Sequence, residues 1–225
     1  EAVCDECENV IIVLMCGSSL DIGEKLRNKA KAIIAAWYPG AQGGLAVAKA
    51  VAGEFSPCGK LPITIYRGDT DIPEFTDYSM TNRTYRFYDK PVLWQFGYGI
   101  GYSEIIFESA LISENGNDNI TLNVTIKNNG NYNVREKVQV YAKFTDSRTS
   151  TPLYQLCGIK PIDIKSGETV KTQVKIDKFW IKSVLESGER TEPDGKITLF
   201  VGASLPDKYS VSLGAPQFIE IDLKK

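Results

Sequence analysis

The hydrophobic pattern changes period near Phe107, and that change restricts the chain to a two-part architecture. Over residues 9–66, short apolar runs alternate with helical spacings. Beyond Phe107 the pattern alternates residue by residue and is broken by turn signals. A period of 3.6 and a period of 2 bury their apolar faces in different layer types, so an α/β unit must give way to a β-only unit.

In the first part, Val10-Ile11-Ile12-Val13-Leu14-Met15 is a continuous β-rich run, as expected of a parallel strand covered on both faces. The turn Gly17-Ser18-Ser19 follows, and residues 21–31, polar with scattered apolar positions, read as a surface helix. Ala32-Ile33-Ile34-Ala35-Ala36 reads as the next strand. After the breaker cluster at residues 39–44, Leu45, Ala48, Val51 and Ala52 recur at helical spacing up to a stop at Gly53. Residues 61–66 read as a third strand, with Pro62 favouring an edge or a strand start. Alternating strand and helix predicts a partial parallel α/β sandwich over residues 1–66.

In the last part, residues 106–225, Ile120, Leu122, Val124 and Ile126 share one face, and residues 138–144, 170–176, 197–201 and 218–221 repeat the alternation. About seven short strands separated by Asn-Gly, Ser-Gly and Asp-Gly turns predict an immunoglobulin or fibronectin type III-like β-sandwich. The one helix-like interruption, residues 178–185, is expected to cross an end of that sandwich.

Residues 67–105 join the two parts. They contain Trp94-Gln95-Phe96-Gly97-Tyr98-Gly99-Ile100-Gly101-Tyr102-Ser103, with glycines at alternate positions and aromatic residues between them. A phosphate loop would follow a strand and open into a helix; this stretch follows a turn and runs into a β-type sequence. It is too aromatic to be left in water as a tether, so the segment is expected to dock onto the domains it joins.

Composition narrows the chemistry. The 225 residues carry 26 basic against 28 acidic side chains without a block of like charge, which argues against nucleic acid or a membrane as partner. The longest apolar run is too short to span a bilayer, and the opening residues do not resemble a signal peptide. The first residue is Glu1 and not Met, so a fragment or processed chain is expected. With no histidine, neither a His-activated nucleophile nor a His-ligated metal can form. Cys4, Cys7, Cys16, Cys58 and Cys157 are too scattered for a disulfide framework and read as cytosolic thiols, which predicts a cytoplasmic location. Cys4 and Cys7 have CxxC spacing but no second pair at a zinc-site distance, so a structural role is favoured and no cofactor or metal is predicted.

Three stretches in order then resemble one family: residues 36–44 (AWYPGAQGG), residues 53–64 (GEFSPCGKLPIT), and Tyr85-Arg86-Phe87 followed by residues 96–103 (FGYGIGYS). Together they are similar to the C-terminal region of glycoside hydrolase family 3, and residues 124–130 and 195–204 resemble the fibronectin type III-like domain that ends many of its members. The resemblance implies a retaining β-glycosidase, of the β-glucosidase or β-xylosidase type, acting on terminal non-reducing β-linked sugars of an oligosaccharide or aryl glycoside. It implies a (β/α)₈ barrel as partner, carrying an aspartate nucleophile, and an acid/base glutamate in a loop upstream of the strand at residues 10–15. Neither residue maps onto this sequence, so no catalytic residue is assigned and the chain alone is expected to be inactive. Glu1, Glu6 and Glu8 read as a solvated helix face.

Some residues could still serve a site. Ligands meet parallel sheets at the C-terminal ends of strands, which makes Cys16, Gly17, Ser18 and Ser19 candidates to face a pocket, against the alternative of a tight turn. Gln42, Gly43 and Gly44 could offer helix amides to an anion, against close packing through glycine. Trp37 and Trp94 could stack on sugars or simply pack. Glu54 could pair with Asp69 or Asp71, but nothing in the sequence fixes their distance. The other functional class is a non-catalytic scaffold that holds carbohydrate or protein.

Overall fold

The computed structural model describes residues 2–68 and 72–223. The first part comprises α1 (Ala2–Glu6), β1 (Ile11–Leu14), α2 (Glu24–Lys29), β2 (Ala32–Ala35) and α3 (Gly43–Val51). β1 and β2 pair in parallel, with Ile11 opposite Ala32 and Leu14 opposite Ala35. Helix α2 is shorter than its sequence pattern suggests. Asp21 Oδ1 accepts from Gly23 N at 2.8 Å, which holds the approach in a turn, and Ala30 leaves the last turn extended.

The run at residues 10–15 was expected to be covered on both faces, yet β1 is half-buried and Ile11 is 43 % exposed. The third strand expected over residues 61–66 does not form. Ile65 instead bridges Trp94, its amide donating to Trp94 O at 2.9 Å, and Leu61 N donates to Tyr98 O at 2.8 Å. Pro62 has no amide to continue a ladder, so the segment pairs with the connection and not with β1 and β2.

The connection contains one short helix, α4 (Thr84–Phe87). Tyr85 stacks on Phe96 with ring centroids 4.2 Å apart, and both pack against a cluster formed by Tyr141, Phe200 and Leu205. Gly97 has φ +77, and a Cβ there would lie 2.3 Å from Gln139 Oε1. A Cβ at Gly99 would lie 2.2 Å from Gly59 O. The alternating glycines of the WQFGYGIGYS stretch therefore let the backbone press directly against its neighbours. Gln139, only 2 % exposed, donates to Gly97 O at 3.0 Å and Ala203 O at 2.7 Å and accepts from Tyr141 Oη at 2.6 Å.

The sandwich begins with β3 (Ile105–Asn115) and continues through β4 (Asn119–Asn128), β5 (Val134–Thr145), β6 (Gln155–Ile164) and β7 (Thr169–Asp177). It ends with the short hairpin β8 (Ser183–Val184) and β9 (Arg190–Thr191), then β10 (Lys196–Gly202), α5 (Lys208–Ser212) and β11 (Ile219–Leu223). One sheet has the order β3-β4-β7 and the other β11-β10-β5-β6. Ile120, Leu122, Val124 and Ile126 of β4 point into the core with Val138, Val140, Leu199 and Val201, each contributing about 1.5–3 kcal/mol by leaving water. The fold is thus an α/β part followed by an immunoglobulin-like β-sandwich.

Three further features depart from what the sequence suggests. β6 escaped it because Gly158 and Pro161 interrupt its alternation; as an edge strand it tolerates the proline. Residues 178–185 hold a 3₁₀ turn (Lys178–Ile181) followed by β8 and not an α-helix. Helix α5 was not anticipated: Asp207 Oδ1 caps it by accepting from Ser210 N at 2.9 Å.

Candidate functional site

β1 and β2 end side by side at Leu14 and Ala35, and the loops leaving them meet. Trp37, just beyond β2, has φ 53, a left-handed conformation that is uncommon for a bulky side chain and tends to mark sites where geometry matters. The next residue, Tyr38, lays its ring over Gly17, where a Cβ would lie 2.5 Å from Tyr38 Cε2. Leu14, Cys16, Ser18, Ala35, Trp37 and Ile65 line a small pocket of about 20 Å³ between these loops, with room for about one water. The Cys16 thiol donates to Ser18 O at 3.4 Å.

Of the predicted pocket residues, Ser18 and Cys16 reach this pocket, Gly17 packs beneath Tyr38, and Ser19 is exposed in the same loop. Among the described residues, the lining supplies a hydroxyl, a thiol, an indole and aliphatic groups, but no carboxylate or amine. At this size it does not enclose a sugar, and its lining cannot by itself move a proton in glycoside cleavage.

The other described candidates lie outside this pocket. Gly43 is buried, a Cβ there would lie 2.5 Å from Pro39 Cβ, and its amide already donates to Gly40 O at 3.1 Å. Close packing thus accounts for this glycine at the start of α3. Trp94 is half-buried and held by its backbone against Ile65. Glu54 Oε2 lies 3.4 Å from Lys49 Nζ. Glu6 and Glu8 are exposed, whereas the neighbouring Asp5 binds Lys25 at 3.0 Å and also Lys29. These lysines, Lys29 first, hold the Asp5 carboxyl at about 2. Glu1, Asp69 and Asp71 lie outside the described residues. Among those residues, no three His, Cys, Asp or Glu side chains are grouped as a metal would need.

A larger cavity of about 350 Å³ lies between the connection, β3 and the segment after α5, lined in part by Glu104, Glu136 and Gln217. Its carboxylates serve the protein: Glu136 Oε1 pairs with Lys60 Nζ at 2.9 Å, and Glu104 Oε2 accepts from Asn129 at 2.6 Å. The roles of Ile65, Tyr38 and the Trp37 backbone were not legible beforehand. Each depends on a partner distant in sequence or on a φ angle that residue type does not specify.

A parallel βαβ edge, an aromatic connection docked through glycines and a terminal fibronectin-like sandwich define a two-part chain of the α/β plus β-sandwich class. Residues 1–102 match the Glycosyl hydrolase family 3 C-terminal domain, and residues 136–205 match the Fibronectin type III-like domain. The chain therefore belongs to glycoside hydrolase family 3, as the C-terminal part of its architecture. It is 36 % identical over 207 residues to a xylan 1,4-beta-xylosidase of Xylanibacter ruminicola, covering 89 % of this chain and 23 % of that one. It is 30 % identical over 214 residues to a periplasmic beta-glucosidase of Salmonella typhimurium, covering 86 % of this chain and 27 % of that one. Its structure superposes on the GH3 beta-glucosidase of Bifidobacterium adolescentis with a TM-score of 0.84 at 25 % identity, covering 99 % of this chain and 34 % of that one. The chain thus spans roughly a quarter to a third of the length of these relatives.

Proposed function

We propose that the complete protein is a retaining β-glycosidase of the β-glucosidase or β-xylosidase type, and that this chain supplies its non-barrel part. The observation that carries the reading is similarity to a xylan 1,4-beta-xylosidase running through both structural parts, over 89 % of the chain. Retention needs a nucleophile and an acid/base about 5 Å apart. Among the described residues, the pocket at the ends of β1 and β2 has no carboxylate in its lining, which supports assigning the nucleophile to the barrel and the acid/base to a loop without a counterpart in this sequence.

In this reading the Gly17-Ser18-Ser19 loop forms one wall of the sugar site. Hydroxyl and amide groups of the loop hydrogen-bond ring hydroxyls, and Trp37 offers an apolar face to the C–H side of a pyranose. The chain thus contributes orientation and water exclusion, while bond cleavage belongs to the barrel. The test is hydrolysis of aryl β-glucosides and β-xylosides by the complete protein, with the anomer of the released sugar read by NMR. Release of the β-anomer is expected. No release from either substrate class, or first release of the α-anomer, overturns the proposal.

A further inference from the structure

The sandwich carries an exposed aromatic platform that nothing described above uses. The 3₁₀ turn Lys178–Ile181 presents Phe179 and Trp180, which are 45 % and 50 % exposed with ring centroids 5.3 Å apart, edge to face. Their placement is fixed on several sides. Asp177 Oδ1 caps the turn by accepting from Phe179 N at 2.8 Å, and Ile181 anchors it in the core at 3 % exposure. The Arg190 guanidinium lies over the Phe179 ring, 4.0 Å from its centroid, and donates to Phe179 O at 3.4 Å. Two large rings held half in water by a cap, an anchor and a cation are preorganised for a ligand.

The location separates this platform from the site at β1 and β2. Strand β4 pairs Asn119 with Asp177, directly before the turn, whereas its other end, Asn128, binds Tyr132 O at 2.7 Å. The Tyr132 ring lies 5.5 Å from that of Tyr102 in the connection, and its hydroxyl lies beside Gly53 of the α/β part. The ten residues of β4 put about 30 Å between these ends. The platform therefore occupies the end of the sandwich away from the α/β part.

We propose that Phe179, Trp180 and Arg190 form an accessory site for a polysaccharide chain of β-1,4-linked pyranoses, of the xylan or glucan class. The chemistry fits such a ligand. An exposed indole stacks on the apolar C–H face of a pyranose, and the remaining Arg190 N–H groups together with Lys182 and Glu192, themselves 3.7 Å apart, suit equatorial hydroxyls. The choice of polymer rests on the glycosidase reading above. The site would hold the polymer near the enzyme and take no part in bond cleavage.

Affinity electrophoresis of the 225-residue chain in gels containing soluble β-1,4-xylan or β-glucan tests this, with dextran as control. The chain is retarded by xylan or β-glucan. Trp180→Ala weakens retention about tenfold at unchanged circular dichroism and melting temperature, while Trp180→Tyr keeps most of it. Xylo-oligosaccharides quench tryptophan fluorescence in the parent chain and less in Trp180→Ala. Absence of retardation on both polymers, equal retention by Trp180→Ala, or Trp180-dependent self-association in sedimentation each overturns the proposal. Aryl-glycoside hydrolysis by the complete protein reads the glycosidase assignment separately: hydrolysis without retention removes this site alone, and retention without hydrolysis removes the assignment alone.

Discussion

Lys60 Nζ lies 2.9 Å from Glu136 Oε1, and with 9 % and 11 % of their side chains exposed the two form the most buried ion pair among the described residues. Lys60 leaves the segment after α3 and Glu136 sits on β5, so the pair ties the α/β part to the sandwich. Lys60 also donates to Gly99 O at 2.7 Å, closing the joint over the connection. Removing one partner leaves the other charge largely buried without its counter-ion. Lys60→Met is expected to lower stability by about 3–5 kcal/mol, and Lys60→Met with Glu136→Leu to recover much of that loss. Urea unfolding of the two single variants and the double variant checks this through the coupling of the cycle.

Gly97→Ala is expected to undo the docking of the connection. The substitution meets both a φ of +77 and the Gln139 side chain, which together cost at least about 2 kcal/mol. Limited trypsin digestion reads the consequence locally. The parent chain resists cleavage near Arg86, whose carbonyl accepts from Leu153 N at 2.6 Å, and the variant is cut there.

Gly17→Val separates packing from function. The new side chain displaces the Tyr38 ring, but Tyr38 is 78 % exposed, so stability should change by less than about 1 kcal/mol. If the loop walls the sugar site, KM of the complete protein for aryl glycosides rises several-fold with a smaller change in kcat. Unchanged kinetics would remove residues 17–19 from the site.

Stability should fall on the alkaline side. Burial pushes the Cys157 thiol up to about 12 from an ordinary value of 9, and burial first, then nearby Tyr85, raises the Tyr141 hydroxyl well above 10. The unfolded chain loses these protons sooner than the folded chain does. Their contribution is complete below pH 9 and declines as pH rises from 9 toward 12. Asp5 acts in the opposite sense: its contribution is present above pH 3.8 and is lost as pH falls toward 2, and it is small because the group is exposed. Melting temperatures between pH 8 and 11 check the alkaline branch, and Cys157→Val should flatten part of the slope.

The sandwich was legible where its physics is local. The alternation in β4 announces a half-buried strand because each apolar residue faces the core through its own position in the pleat. β6 was hidden because Gly158 lies beneath Ile176 and Val140 in place of a large side chain, and Pro161 occupies an edge position. The segment at residues 61–66 has strand composition, but its partners are Trp94 and Tyr98, far along the chain, and no local rule selects them over β1 and β2. The docking of Tyr85 and Phe96 could be anticipated from the cost of exposing them together, whereas Phe75 and Tyr78 of the same segment stay 89 % and 87 % exposed. The pocket formed by Ser18, Trp37 and Ile65 could not, since it arises where three separate loops meet.

The central claim is that this chain shapes a glycosidase without containing its reacting groups. The most direct measurement is turnover of aryl β-glucoside and β-xyloside by the purified 225-residue chain, alone and mixed with a separately expressed barrel portion. Loss of acid/base assistance alone costs about 10²- to 10⁴-fold, and loss of the nucleophile and of substrate positioning adds to it. The chain alone is therefore predicted to match buffer, and the mixture to release sugar. Turnover by the isolated chain that disappears when one of its own carboxylates is changed would contradict the account.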